Sequence, residues 1–482
     1  MDEKLKILLA ELKGDPKTTI AKIRVASKDT SVIERYVKEY RDQDRSQREE
    51  QVGRIQGSKD KKNPPVKIIL NHSQNIVETL AAFSVGKPVN LIPSVENKLH
   101  DLVKQVWRIN RMDSKILQSL IVRMSQTQVA IHYYITDLAP TSVLNKVLLS
   151  LGLGTQAKEI KSKILDNTKG KMTPYFDDYG DMLLFMWEYA TVVNDKTINH
   201  VQIWDEKNYH YFNDELGDLA LADPSKPHGF DRIPIVYDSQ FEPEWYPVRN
   251  AVDRHEVALS KLGDSTDYSG HPILVTEGKV TNMPTKTESG KHFNIPRKFD
   301  AEGKDITGKV SFLEAQNAPE LNKLEIDKLE DVIAYGSGVP NLSFDRLKSL
   351  GNVAEKTVKL MFLGTELKAE LRRTQVRTFI ERSINIIVSG ITTTTNTNLK
   401  TDGLKLYYDI HFNSILPNDV AERVNTATKA VNSGLMSRKT GVAIIDLVDH
   451  VTSELTDIDA ERALFKEQQD NMAGENRDTG AV

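Results

Sequence analysis

The sequence predicts an α+β chain divided into several units, and three observations carry that prediction. Between residues 319 and 390 apolar residues recur at helical spacing over two segments separated by a Gly/Pro-rich break. Between residues 128 and 237 apolar and polar residues alternate in short runs bounded by turns, the pattern of strands. The chain has 482 residues, more than one core usually serves, so roughly two to four domains are expected.

Residues 1–62 are polar and helix-prone, with a charge run at Arg41, Asp42, Asp44, Arg45, Arg48, Glu49 and Glu50 that predicts a solvated helical arm. After Asn63, Pro64 and Pro65 a helix carries Ile68, Ile69, Ile76, Val77, Leu80 and Phe83, and it stops at Gly86 with Pro88 just beyond. A strand follows at 89–93, helices at 96–110 and 113–126, and a strand at 128–136. Residues 139–171 have a helical, lysine-rich pattern and read as a peripheral insertion. A meander of strands then runs through 173–176, 182–193, 200–204 and 209–213, and Pro234 puts the strand within 229–237 on an edge. Together residues 63–246 form one α+β unit.

The helix at 247–268 places Val248, Val252, His255, Leu259 and Leu262 on a heptad seam, which calls for a second rod beside it. His255 reads as a buried, hydrogen-bonded histidine, because no second histidine lies within a turn of it. Residues 269–318 form a small unit with strands at 272–276, 292–295 and 309–313, set at the tip of a helical pair. The returning helix, 319–335, opens with Pro319 and carries Leu321, Leu324, Ile326, Leu329, Val332 and Ile333, a band broad enough to need neighbours on both sides. A loop spans 336–351. Beyond it Leu360, Leu363, Leu367, Leu371, Val376, Phe379, Ile380, Ile384 and Ile387 predict a helix over 352–389, on the order of 55 Å long. Gly364 is expected to bend it or to admit a close neighbour. A Thr/Asn-rich run and a strand at 404–412 complete a unit ending near 416; helices at 419–433, 437–447 and 457–469 follow, and disorder is expected over 472–482.

Composition excludes several functions. Lys+Arg number 64 against Asp+Glu 68, a net charge of -4, so the chain lacks the overall basic excess of a dedicated nucleic-acid binder and any such contact is local. There is no cysteine, which removes disulfides and thiolate chemistry and suits a reducing cytoplasm. The start of the chain is not a secretory signal, and the most apolar stretch, 182–193, is too short for a membrane span and contains Glu188. No phosphate-cradling GxxxxGK[ST], GxGxxG after a strand, HExxH or GxSxG occurs. The acidic pairs Asp177/Asp178 and Asp457/Asp459 fall in a turn and at a helix start, where carboxylates serve structure. No enzyme, no cofactor and no metal site are expected.

The order of the elements resembles one family. Asn71 leads a helix into Val85-Gly86-Lys87-Pro88-Val89; Phe230-Asp231-Arg232-Ile233-Pro234-Ile235-Val236 precedes the seam helix; Ser337-Gly338-Val339-Pro340 precedes Leu342-Ser343; and Asp419 and Glu422 precede Ser433-Gly434-Leu435-Met436-Ser437-Arg438-Lys439-Thr440. In this order, from about Tyr36 to Asp470, the motifs resemble those of the SPP1-type portal proteins of tailed bacteriophages. Two stretches depart from the pattern: Gly351-Asn352-Val353-Ala354-Glu355 where many relatives carry a small-residue start to the long helix, and the segment 139–171.

The resemblance implies a portal-protein fold: an α/β wing (63–246 and 352–416), a helical stem (247–268 and 319–335), a small α/β clip (269–318), a tunnel loop (336–351) and a helical crown (417–471). It also implies a homo-oligomeric ring of about a dozen subunits at one vertex of the virion capsid, assembled in the host bacterial cytoplasm. Double-stranded DNA would pass through that ring during genome packaging and ejection. The implied partners are the terminase large subunit, a head-tail adaptor protein, and the major capsid and scaffolding proteins, with no membrane. On this reading Asn341, Phe344, Asp345, Arg346 and Lys348 line the tunnel loop, and Lys279, Lys286, Lys291, Arg297 and Lys298 form the docking surface of the clip. Two other classes stay open on the residues alone: a nucleic-acid-processing enzyme with an unrecognised site, and a virion or scaffold protein without a DNA channel.

Overall fold

In the computed structural model residues 3–25, 30–41, 68–137, 158–269, 273–277, 297–299, 301–304, 309–313, 319–341, 359–415, 420–445 and 451–478 are described. They divide into two units, one drawn from residues 1–347 and 362–414, the other from 348–361 and 415–482.

In the first unit, helices α1 (Glu3–Gly14), α2 (Pro16–Arg24) and α3 (Thr30–Tyr40) open the chain. Helices α1 and α2 are not solvated, whereas residues 42–62, with most of the charge run that predicts the arm, lie outside the described residues. Leu12, Ile20 and Ile23 are buried in a core with Leu184, Met186, Val201, Ile203 and Phe212, and Arg24 pairs with Glu188 at 2.6 Å. Leu8, Leu9, Leu12, Ile20 and Ile23 face that core while Ile7 is exposed, so a narrow stripe decides the docking. Next come α4 (His72–Val85), β1 (Asn90–Pro93), α5 (Lys98–Ile109) and α6 (Met112–Gln126). Asn97 caps α5 by accepting a hydrogen bond from the His100 N–H at 3.0 Å.

Strands β2 (Gln128–Asp137) and β3 (Lys158–Leu165) pair antiparallel from Ala130↔Leu165 to Asp137↔Lys158. The strand β3 corrects the helical reading of 139–171. Its lysines suggested helix, but Ile160 and Ser162 point inward while Lys161 and Lys163 point outward, and that period of two sets the pairing. Residues 138–157 lie outside the described residues. A meander follows in chain order: β4 (Lys171–Phe176), β5 (Met182–Val193), β6 (Lys196–Trp204), β7 (Asn208–Asn213) and β8 (Ala220–Pro227). The strand β8 was not expected. It is an exposed edge strand containing Pro224, and it has no alternation to read. Strand β9 (Ile235–Ser239) returns to pair with β2 at the edge of a three-stranded sheet, and Pro234 sits just before it.

A turn at Tyr246–Val248 leads into α7 (Arg249–Ser269), and β10 (Ile273–Glu277) pairs antiparallel with β11 (Lys309–Leu313). The strand expected at 292–295 lies outside the described residues. Helix α8 (Pro319–Ser337) packs against α7, where Arg254 Nε donates to Glu325 Oε1 at 2.8 Å. It passes its expected end at Tyr335 and includes Gly336 and Ser337. Residues 359–361 are helical, the helix breaks at Phe362, and α9 (Leu363–Gly390) follows, so a break falls two residues before Gly364, where a Cβ would lie 3.9 Å from the Gly338 carbonyl at the end of α8. Residues 351–358 lie outside the described residues. A π-helical turn, Ile391–Thr395, ends it, and β12 (Tyr408–His411) pairs with β1. The largest core joins α4, α6, β2 and α9 through Val77, Leu80, Ile116, Leu120, Tyr133 and Ile380.

The second unit contains α10 (Val420–Asn432), α11 (Arg438–Ile445) and α12 (Val451–Asp478). Arg438 reaches Asp459 at 3.3 Å. Disorder was expected from Met472, yet α12 continues to Asp478; Met472, Ala473 and Glu475 are residues that helices favour, and polarity alone was a poor guide to the end.

Candidate functional site at the joint of three helices

The stretch expected to form a loop leaves from the end of α8 and returns at the start of α9, so the site is built where these two helices meet the start of α7. Two glycines make the meeting possible. A Cβ on Gly336 would sit 2.5 Å from Val248 Cγ1, so a larger residue there would push the start of α7 away. Gly338 has φ +72°, the left-handed conformation that ends a helix, and its N–H bonds the Ala334 carbonyl at 2.9 Å.

Two side chains of α9, one turn apart, grip this helix end. Thr365 Oγ1 donates to the Gly338 carbonyl at 2.7 Å, and Lys368 Nζ donates to the Gly336 carbonyl at 2.8 Å. Carbonyls at a helix C-terminus lack intrahelical partners, and a cation beside them meets the negative end of the helix dipole. The Lys368 stem also lies across Gly338, where a Cβ would meet its Cδ at 2.8 Å. Burial lowers the Lys368 pKa, Glu244 opposes that shift and Arg372 adds to it. Arg372 is held by Glu244 at 2.7 Å, and the Glu244 N–H donates to the Met124 carbonyl at 3.1 Å, which ties the joint to α6.

The departing chain is held from its other side as well. The Val339 N–H donates to Ser337 Oγ at 3.2 Å, and Asn341 Nδ2 donates to Glu330 Oε2 at 2.7 Å. Glu330 Oε1 lies 3.8 Å from His255 Nε2, and His255 Nδ1 lies 3.2 Å from His72 Nε2. His255 is buried as expected, at 2% exposure, but it has a histidine partner that its spacing could not disclose, since His72 stands on another helix. Burial and the nearby His255 lower the His72 pKa to about 4, and burial lowers that of His255 against the pull of Glu330. Both rings are therefore neutral at pH 7 and share one hydrogen bond, which either tautomer can supply. A cavity of about 440 Å³ adjoins them, lined by His72, Asn75, Glu330, Asn341 and Phe362 among others. Among the described residues no group of three or more His, Asp or Glu side chains is placed to hold a metal ion.

Of the residues that sequence placed in the tunnel loop, the structure brings Asn341 to Glu330, while Phe344, Asp345, Arg346 and Lys348 lie outside the described residues. Lys279, Lys286 and Lys291 also lie outside them, and Arg297 and Lys298 are exposed. Sequence reasoning missed Thr365, Lys368, Glu330 and His72. The one available signal was the spacing of Thr365 and Lys368, which puts both on one face of α9.

Around the joint, two helices leave apolar stripes uncovered. On α8, Leu321, Leu324, Val332 and Tyr335 fall on one face, with Tyr335 92% exposed. On α9, Leu363, Leu367 and Leu371 do the same, with Leu371 70% exposed. No helix among the described residues is long and apolar enough to cross a membrane.

Among solved structures the chain is similar to the "Neck of native GTA particle computed with C12 symmetry", at 13% identity and TM-score 0.40, covering 78% of this chain and 89% of that one. It is also similar to the "Neck of empty GTA particle computed with C6 symmetry", at 12% identity and TM-score 0.38, with the same coverage of 78% and 89%. No curated protein matches it. Residues 27–468 match the family described as "Phage portal protein, SPP1 Gp6-like". That stretch takes in all four described sheets, the helical joint and most of the C-terminal helices, and the chain belongs to the SPP1 Gp6-like family of phage portal proteins.

Proposed function

We propose that this portal protein works as a closed ring of about a dozen copies at one vertex of the capsid, with double-stranded DNA passing along its axis during packaging and ejection. The two uncovered apolar stripes carry this reading. A ring whose subunits meet head to tail needs two different complementary surfaces on each chain, and α8 and α9 each offer one. Burying one exposed leucine contributes about 1.5–3 kcal/mol, so a stripe of three can drive association once repeated around a ring.

In this reading α7 and α8 form the stem, residues 269–318, with β10 and β11, the clip, and 336–351 the tunnel loop; the other sheets with α9 form the wing, and α10–α12 the crown. Asn341, Phe344, Asp345, Arg346 and Lys348 face DNA. Their mixed charge suits a conduit, because tight phosphate binding would stall a moving polyanion. The helix α8 supports the same view, since Glu320, Glu325, Asp327, Glu330 and Asp331 outweigh Lys323 and Lys328. The terminase large subunit, which supplies the chemical energy, and later the head-tail adaptor dock at the clip on Lys279, Lys286, Lys291, Arg297 and Lys298. The major capsid and scaffolding proteins surround the ring, which assembles in the host cytoplasm. The protein itself catalyses nothing.

Native mass spectrometry of the purified chain tests the ring. A large closed oligomer is expected, and a monomer or dimer at every concentration would overturn the proposal.

A further inference from the structure

We infer that Thr365 and Lys368 are positioning residues that lock the two ends of the 342–358 excursion to each other, so that load on it passes into α9 and the body instead of opening the joint. The inference rests on the conduit reading above and adds to it a mechanical role for residues that need never touch DNA.

The chain leaves through Gly336–Asn341 and has returned to helix by Leu363. Among the described residues two hydrogen bonds join the ends of this excursion, and both run from the returning side to the departing side: Thr365 Oγ1 to the Gly338 carbonyl and Lys368 Nζ to the Gly336 carbonyl. Without them the exit turn would depend on Gly338, the residue type with the most backbone freedom. With them the Lys368 stem occupies the space a side chain at 338 would fill, and its ammonium caps the last turn of α8. An ordinary cap would end there. Here the next turn of α9 carries Arg372, paired with Glu244 at 2.7 Å, and the Glu244 backbone bonds Met124 at the end of α6. A pull on the excursion therefore passes through the Thr365 and Lys368 hydrogen bonds into α9 and, one turn on, through Arg372 and Glu244 into the body. Asn341, bonded to Glu330, holds the departing strand against α8.

The test uses the full-length assembled protein and the variants Thr365→Val, Lys368→Met and the pair, which remove the donors while keeping most of the side-chain volume. Three readings are taken: ring formation by native mass spectrometry, amide exchange at Val339 and Asn341, and DNA packaged into proheads. The pair is expected to form rings, to exchange at those amides roughly tenfold faster, the order expected when one or two hydrogen bonds are lost, and to lose packaging. Thr365→Ser, which keeps the hydroxyl, should package normally. Unchanged exchange overturns the inference, and so does faster exchange with normal packaging, which would reduce the contacts to a helix cap. If the pair does not assemble, Thr365→Val alone is judged by the same outcomes. A wild-type chain that forms no ring would instead defeat the conduit reading, whatever the exchange shows.

Discussion

The two halves of helix α9 are built from similar residues and end in opposite surroundings. In the C-terminal half Phe379, Ile380, Ile384 and Ile387 are buried against α4, α6 and β2, whereas in the N-terminal half Leu363, Leu367 and Leu371 face outward. Helical periodicity treats both halves alike, because it reports that a face is apolar and not what covers it. One half is completed by its own chain. The other belongs to a surface that, in the proposed ring, only another copy completes.

The strongest way to break this contrast is to charge the open half. Leu367→Asp with Leu371→Asp is expected to remove about 3–6 kcal/mol from each contact between copies, a factor of roughly 10² to 10⁴ in association. Native mass spectrometry should show monomer, and circular dichroism an unchanged fold. Loss of the fold would mean that these leucines serve the chain itself. In the closed part, Asp238→Ala strands the Arg123 guanidinium, which is buried and bonded to Asp238 at 2.5 Å. That change should cost about 3–5 kcal/mol in denaturant unfolding of an assembly-deficient background.

Within α9 the contrast can be tested with matched truncations. Ile384→Ala should cost about 2–5 kcal/mol of folding stability, while Leu367→Ala should leave folding within ~0.5 kcal/mol and weaken only the ring. Equal effects on folding would erase the distinction. The smallest expected effect is on pH dependence. The folded pKa of His72 lies near 4, below its unfolded value of about 6.5, so its contribution is full above 6.5 and is lost as pH falls toward 4. After allowance for solvent screening that loss is on the order of 1–2 kcal/mol. His72→Gln should reduce the slope of melting temperature against pH over that window, leaving the part due to the other buried histidines. Any slope below pH 4 should persist, since burial holds His132, in the body, down to about 3.

Much of the fold was legible from pattern. The strands at 182–193 and 309–313 and the paired rods near 249–269 and 319–337 announce themselves by period, and the shared order of loosely defined motifs identified the family that residues 27–468 match. What escaped has physical reasons. The exposed strand β8 has no inward face to alternate, and β3 is short and rich in lysine. The docking of α1 and α2 depends on a sheet distant in sequence. The joint escaped most completely, because Lys368 and His72 act through a backbone carbonyl and a ring nitrogen brought near only by tertiary folding.

The opening hairpin has a practical bearing on how this protein can be shortened. The family match starts at residue 27, after α1 and α2, yet those helices roof Leu184, Met186, Val201, Ile203 and Phe212. A chain trimmed to the matched stretch would present that greasy sheet face to water and clump through it. A relative without such a roof must shield the corresponding strands in some other way.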